Sequence, residues 1–321
     1  MSVAAPPLAR LRRREPFTKG QRREARLFYL CISPWLLGFI LWTAGPMLAS
    51  LYFSFTHWDL LSTPRWIGLN NYIYLFTQDP DFIQSLKVTF TYAVWELPLA
   101  QIVALLAALL VNQTVRGVNF FRTIFYMPSL VTGVGMAVMW LWIFNPDFGI
   151  LNVILSGIVN LLHIGIKPSQ LPGWVTSPTW ALPSFIIMGL WGFGGTMVIY
   201  LAGLKSIPQQ LYEAAEVDGA TWWTKFWRVT IPMLSPSIFF NVVLGVIGVF
   251  QTFDAAYVMT NGGPDNATLF YVMYLYRQGF QNYKMGYASA QAWILLLIIM
   301  AVTLIVTKAS AGRVHYEGAR R

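Results

Sequence analysis

Tyr212–Pro232 reads YEAAEVDGATWWTKFWRVTIP. Glu213, Glu216 and Asp218 come first. Lys225 and Arg228 follow, interleaved with Trp222, Trp223, Phe226 and Trp227. The stretch lies between two long apolar runs. A solvent loop has no use for so many aromatics, and a membrane span has none for the charges. Its pattern reads as a helix, a glycine turn and a second helix. Pro208 suits a first helical turn, where its missing N–H costs nothing. Ile207, Leu211, Ala214 and Ala215 fall at helical spacing on one expected face, kept shallow by the alanines. Gly219 is an expected helix stop, because glycine enters the left-handed region cheaply. Thr221 or Asp218 can cap the second helix, and Pro232 comes just inside the next apolar run.

The surroundings of this stretch set the solvent. Of 321 residues, 56% are hydrophobic and 11% charged, against about 25% charged in soluble domains. A bilayer core needs roughly 20 apolar residues per helix. Six stretches meet this: Phe28 to Phe55, Lys87 to Val111, Phe120 to Phe144, Ala181 to Leu204, Ile231 to Val258 and Tyr287 to Thr307. The basic lead into the first is expected to be a tail, not a signal peptide. Prolines 34, 46, 98, 128, 183 and 236 are kink candidates, tolerated where neighbours satisfy the freed carbonyls. Gly149 to Gly165 is short and carries Asn152, Ser156, Asn160 and His163. It is expected to be a helix at the interface or packed on the bundle.

Charge orients the bundle. With six spans, both termini and two loops share one side, and that side holds seventeen of the 22 Lys and Arg. The positive-inside rule then puts both termini in the cytoplasm. The basic N-tail reads as a topology anchor on anionic lipid, not a nucleic-acid binder. Cys31 is the one cysteine, so no disulfide framework exists within the chain. Three histidines (His57, His163 and His315) and the acids show no metal or triad spacing. Asn266-Ala-Thr268 matches a glycosylation sequon, a weak three-residue pattern. The first helix of the quoted stretch is acidic, which suits a basic protein partner better than anionic lipid.

The quoted stretch resembles the EAA loop of binding-protein-dependent ABC importer permeases. Glu213, Ala214, Ala215, Gly219, Val229, Ile231 and Pro232 stand at the motif positions, with Val229 and Ile231 replacing the usual Ile and Leu. GLNNYIYLF (from Gly68), FRTIFYMPSLV (from Phe121), WLWIFNPDFGILN (from Trp140) and VMTNGGPDNAT (from Val258) resemble stretches of the carbohydrate-uptake, maltose-type class. The large outer domain and eight spans of the best-known maltose subunit are missing, so the chain is more like the six-span sugar and glycerol-phosphate permeases.

The resemblance implies an all-α, polytopic type I permease: a basic N-tail (1–27), a six-helix membrane domain (28–309) with its cytoplasmic coupling loop (206–230), and a basic C-tail (310–321). It implies a prokaryotic inner-membrane location, a second homologous permease subunit, a cytoplasmic ATPase dimer carrying ATP and Mg, and an extracytoplasmic binding protein. The chain itself has no Walker sequence and is expected to need no cofactor. Glu213, Ala214, Ala215, Asp218 and Gly219 would dock on an ATPase, with Glu213 meeting a basic group there. Closure of the ATPases would rock the bundles about a midplane site. Alignment from the motif places pathway contacts at Met188, Trp191, Gly192 and Gly195 in the fourth span, and at Gly245, Gly248, Val249 and Thr252 in the fifth. The same glycines also suit close helix packing.

Two acids stand apart. Glu96 lies mid-span beside Pro98 and Gln101. A central carboxylate costs roughly 2.5 kcal/mol or more, so it should face the interior or a partner. Asp254 falls near the outer end of the fifth span. It suits an outer gate, sugar hydroxyls or simple exposure. No span carries a basic residue in its centre, which weighs against a phosphate substrate. A self-standing secondary transporter would leave the EAA loop without a role.

Overall fold

The computed structural model describes residues 19–131, 133–163 and 170–310. The C-tail beyond Ser310 and the first 18 residues of the N-tail lie outside them. The described residues are mostly helical, and the chain falls into two compact units, Met1–Tyr52 and Phe53–Arg321. Its helices are α1 (Lys19–Phe39), α2 (Gly45–Ser54), α3 (Asn70–Thr77), α4 (Pro80–Val111), α5 (Val118–Tyr126), α6 (Gly133–Ile143), α7 (Ile150–Leu161) and α8 (Pro178–Trp191). Then come α9 (Gly194–Ser206), α10 (Gln209–Val217), α11 (Trp222–Lys225), α12 (Ile231–Phe250), α13 (Asp254–Met259), α14 (Tyr271–Tyr276) and α15 (Met285–Ser310). Among the described residues the strands are β1 (Thr56–His57) and β2 (Arg65–Trp66), paired antiparallel with Thr56 opposite Trp66.

Lys19–Ser54, Pro80–Val111, Trp222–Met259 and Met285–Ser310 are each long and apolar enough to cross a membrane. Two further pairs qualify only if each bent pair is one span. α5 with its 3-10 extension to Leu130 meets α6 at 101°, and α8 meets α9 at 44°. The helix that carries the first apolar stretch starts before it: Arg22, Arg23 and Arg26 belong to the opening turns of α1. α7 packs Leu151 and Leu155 against the main core, so it rests on the bundle.

The kinks fall at only some of the expected prolines. Helices continue through Pro34, Pro98, Pro183 and Pro236. Pro128 lies in the 3-10 segment Met127–Leu130 beside the sharper bend. Pro46 and Pro232 each follow a π turn, Ile40–Ala44 and Phe226–Thr230, closed by Gly45 N–H to Ile40 O and Ile231 N–H to Phe226 O. A proline ring crowds the carbonyl four residues back and has no N–H to give it. That carbonyl, Trp42 or Arg228, lies inside the widened turn in both cases. The break between α8 and α9 falls instead at Gly192 and Phe193.

The larger unit holds two apolar clusters. One joins Tyr92, Ala93, Met188, Val246 and Phe270 with the residues around them. The other joins Ala104, Ala108, Met197, Tyr200, Leu204 and Leu234. On α4 the gap between them runs from Ala93 to Ala104. On α8 and α9 it runs from Met188 to Met197, and on α12 from Leu234 to Val246. Glu96 and Gln101 of α4, Thr196 of α9 and Asn241 of α12 lie in that gap.

Buried polar side chains seal the irregular connections. Asn71 Nδ2 donates to Ser54 O and Thr56 O, each at 2.9 Å. Asn152 donates to Pro146 O and Pro172 O and accepts from Trp174 Nε1. Thr268, fully buried, donates to Gly263 O at 2.6 Å. Asn266 of the sequon gives its amide to Asp81 Oδ1 at 3.2 Å, so that side chain serves the fold. An unpaired buried polar group is costly, and these bonds remove that cost.

Candidate functional site

The stretch 207–230 folds into two short helices joined at Gly219. Asp218 N–H donates to Ala214 O, Gly219 N–H to Glu216 O, and Ala220 N–H to Ala215 O. Gly219 has φ +73°. This is a Schellman stop, in which a left-handed residue lets the last carbonyls find partners. Thr221 then caps α11 by accepting from Thr224 N. Glu216 and Lys225 pair at 2.7 Å across the turn, and Tyr212 OH meets Thr230 Oγ1 at 3.0 Å. These contacts fix the angle of α10 to the helix run that continues into α12.

The expected shallow face of α10 splits: Leu211 and Ala214 lie open to a partner, and Ile207 and Ala215 turn inward. Ile207 is buried, and Tyr212 and Ala215 are half-buried, whereas Leu211 and Ala214 are exposed. Leu211, Ala214 and Val217 form an outward stripe, with Val217 89% exposed. Tyr212 packs against the cluster that contains Ile207 and Leu234 and bonds Thr230, which turns it inward. Glu213 and Asp218 are exposed beside the stripe, Glu213 accepting from Gln209 Nε2 at 2.8 Å. α10 thus presents an apolar stripe flanked by acids, held by the turn at Gly219.

The second site lies in the gap between the two clusters. A cavity of about 230 Å³, open on one side, is lined from α4 by Tyr92, Glu96 and Gln101, from the α8–α9 break by Gly189, Gly192 and Thr196, and from α12 by Gly245, Gly248, Val249 and Thr252. α4 and the α8–α9 pair are near half-length there, whereas α12 is in its last third. Glu96 is about 24 Å from the start of the 32-residue α4. Gly245 is about 21 Å from the start of α12. Tyr200 OH donates to Gln101 Oε1 at 2.5 Å, and Asn241 Nδ2 donates to Thr196 O at 3.4 Å, tying the floor together.

Six of the sequence candidates therefore come together: Glu96, Gly192, Gly245, Gly248, Val249 and Thr252. Four do not line the cavity. Met188 is buried in the larger cluster. Trp191, 47% exposed, packs edge-on to Trp140 and lines an apolar groove with Phe193. Gly195 faces open space. Asp254 is exposed and opens α13 near Gly133 of α6. Alignment from the motif gives positions along the chain but not which face the bent pair α8–α9 presents. Tyr92, Gly189 and Thr196 were not candidates; nothing local marks them, and only the crossing of three helices does. The glycines also separate. A Cβ on Gly245 would lie 2.3 Å from Leu97 Cδ1, so that glycine serves packing, whereas a Cβ on Gly248 would meet nothing within 4 Å.

A second buried acid, Asp79, caps α4 outside the cavity. Its Oδ1 accepts from Phe82 N at 3.1 Å, and its Oδ2 accepts from Tyr274 OH at 2.6 Å and from Tyr287 OH. Burial, and then the bond to this carboxylate, push the Tyr274 phenol well above its ordinary value.

Residues 100–315 match the family model described as a binding-protein-dependent transport system inner membrane component. The chain belongs to that family. The permease is 44% identical over 303 residues to the probable ABC transporter permease protein YesP of Bacillus subtilis, covering 94% of this chain and 95% of that one. It is 32% identical to the probable starch degradation products transport system permease protein AmyD of Thermoanaerobacterium thermosulfurigenes, covering 87% and 91% of the two chains. It is also 32% identical to the sn-glycerol-3-phosphate transport system permease protein UgpA of Agrobacterium fabrum, covering 90% and 96%. Among solved structures it resembles a bacterial ABC transporter that imports the acidic polysaccharide alginate. There the TM-score is 0.77 at 26% identity, covering 90% of this chain and 96% of that one. A second structure of an alginate transporter, bound to a periplasmic protein carrying alginate pentasaccharide, gives 0.76 at 25% identity, covering 90% and 95%. The permease has the type I ABC importer fold. It is a multi-pass membrane component of an ABC transporter, not the subunit that hydrolyses ATP.

Proposed function

We propose that the permease is one of two related membrane subunits of an ATP-driven importer for a di- or oligosaccharide. It has six spans with both termini in the cytoplasm, which puts the α10–α11 turn on the cytoplasmic side. Glu213, Ala214, Ala215, Asp218 and Gly219 form the docking surface for one protomer of an ATPase dimer, where ATP and Mg reside. A binding protein delivers the sugar at the outer face. Closure of the ATPases moves α10, and the turn fixed by Gly219 passes that motion through α11 into α12, which lines the cavity.

The observation that carries this reading is the cavity beside Glu96, which one helix run links to the acidic docking surface. Relatives named for starch products and for glycerol phosphate leave two solute classes. Among the described residues the polar lining of the cavity is Tyr92, Glu96, Gln101, Thr196 and Thr252, with no Lys or Arg, which favours a sugar over a phosphate ester. Glu213→Lys in the reconstituted complex tests the docking role. It is expected to lower binding-protein-stimulated ATP hydrolysis at least tenfold while the chain still inserts. Unchanged hydrolysis would remove Glu213 from the interface.

A further inference from the structure

The two buried acids of the larger unit differ in one respect. Asp79, 7% exposed, has both carboxylate oxygens bonded by the protein. Glu96, 9% exposed, accepts no hydrogen bond among the described residues, yet it lines the cavity. The Tyr92 hydroxyl beside it also has no hydrogen-bond partner among them. Both groups crowd Gly189, where a Cβ would lie 2.9 Å from Glu96 Oε1 and 2.9 Å from Tyr92 OH. Buried carboxylates are ordinarily saturated with donors, and an ionised one has room for about four. Asp79 follows that rule and Glu96 does not.

We infer that Glu96 is a direct substrate-binding residue of the membrane site, whose carboxylate receives a pair of neighbouring sugar hydroxyls. The inference rests on the sugar-importer reading above. An ionised Glu96 offers acceptors only, and among the described residues no Lys or Arg lines the cavity to neutralise it. Whatever binds must therefore bring its own donors. Vicinal hydroxyls match the two oxygens of a carboxylate, as a bidentate donor does. Tyr92 is free to donate to a ring or glycosidic oxygen. Gln101, held at its oxygen by Tyr200 and at its nitrogen by a long 3.5 Å contact to Asn241 O, has amide capacity left for another hydroxyl. Gly248, open to the cavity, admits a sugar face close to the α12 backbone. Complete small-molecule sites hold ~300–1,000 Å³. At about 230 Å³ and open on one side, this is part of a site, and the second permease subunit supplies the rest.

The test uses the full complex, with both permease subunits, the ATPase and the binding protein in proteoliposomes. Uptake of maltotriose, arabinotriose, xylobiose, digalacturonate and glycerol 3-phosphate is measured alongside ATP hydrolysis. The wild-type complex is expected to take up at least one of the sugars. Glu96→Gln is isosteric but adds a donor where only acceptors fit. It is expected to cut the maximal uptake rate at least tenfold while binding-protein-stimulated hydrolysis stays within about twofold. Glu96→Asp keeps the carboxylate and should recover part of the uptake. Sugar uptake that survives Glu96→Gln overturns the inference alone. Loss of hydrolysis or of complex assembly in both variants also overturns it, because Glu96 would then be a packing or intersubunit group. A wild-type complex that moves glycerol 3-phosphate and none of the sugars overturns the inference and the sugar reading together.

Discussion

A carboxylate inside a membrane protein is costly unless something answers it, and the permease answers its two buried acids differently. Asp79 is satisfied by a backbone N–H and two tyrosine hydroxyls, and it ties the start of α4 to α14 and α15. Asp79→Ala would orphan both hydroxyls and remove the helix cap, an expected loss of about 3 kcal/mol. Thermal unfolding of the purified chain in detergent should show a clear drop in Tm. Tyr287→Phe leaves Tyr274 and Phe82 N bonded to Asp79 and should cost about 1 kcal/mol, read by the same melt. A Tm unmoved by Asp79→Ala would mean that the knot adds nothing to stability. Glu96 was conspicuous in the sequence as a mid-span acid. Asp79 was not, because it reads as an ordinary loop acid before a proline, and its partners lie about 200 residues away.

The coupling segment shows what an element adds to its residues. Gly219, Thr221 and the two-helix pattern were legible from the sequence, since caps and stops act within a few residues. Which side of α10 faces inward was not, because alternation alone does not say that Tyr212 packs and Leu211 does not. Gly219 has φ +73° with open space around it, so a side chain there is strained by the backbone, not by a clash. Gly219→Ala should cost about 1 kcal/mol. It should also lower sugar uptake per ATP hydrolysed, because the angle between α10 and α11 shifts. Uptake and hydrolysis measured on the same proteoliposomes give that ratio, and an unchanged ratio would free Gly219 of any part in transmission. The π turns before Pro46 and Pro232 show the same limit. The prolines were visible, but the neighbouring residues decide whether each is absorbed by a widened turn or passed over by a continuous helix.

At the scale of the molecule, the prediction concerns sidedness. In a Cys31→Ser background, a cysteine at Leu61, 90% exposed, should react with a membrane-impermeant maleimide applied from the outer face. One at Val217, 89% exposed, should react only after the membrane is opened. The opposite pattern would invert the topology read from the basic residues. Sequence alone determined the solvent, the apolar stretches, the charge asymmetry and the coupling motif. Those properties follow from composition, periodicity and spacing along the chain, with no tertiary contact involved. The tertiary structure decided which residues face the cavity. It set Glu96, Gly192 and Gly248 together and left Met188, Trp191, Gly195 and Asp254 elsewhere. The reason is geometric. A bend of 44° between α8 and α9, and the stop at Gln251 before α13, rotate the faces that a straight helix would present. A cavity bounded by three helices exists only where those rotated faces meet.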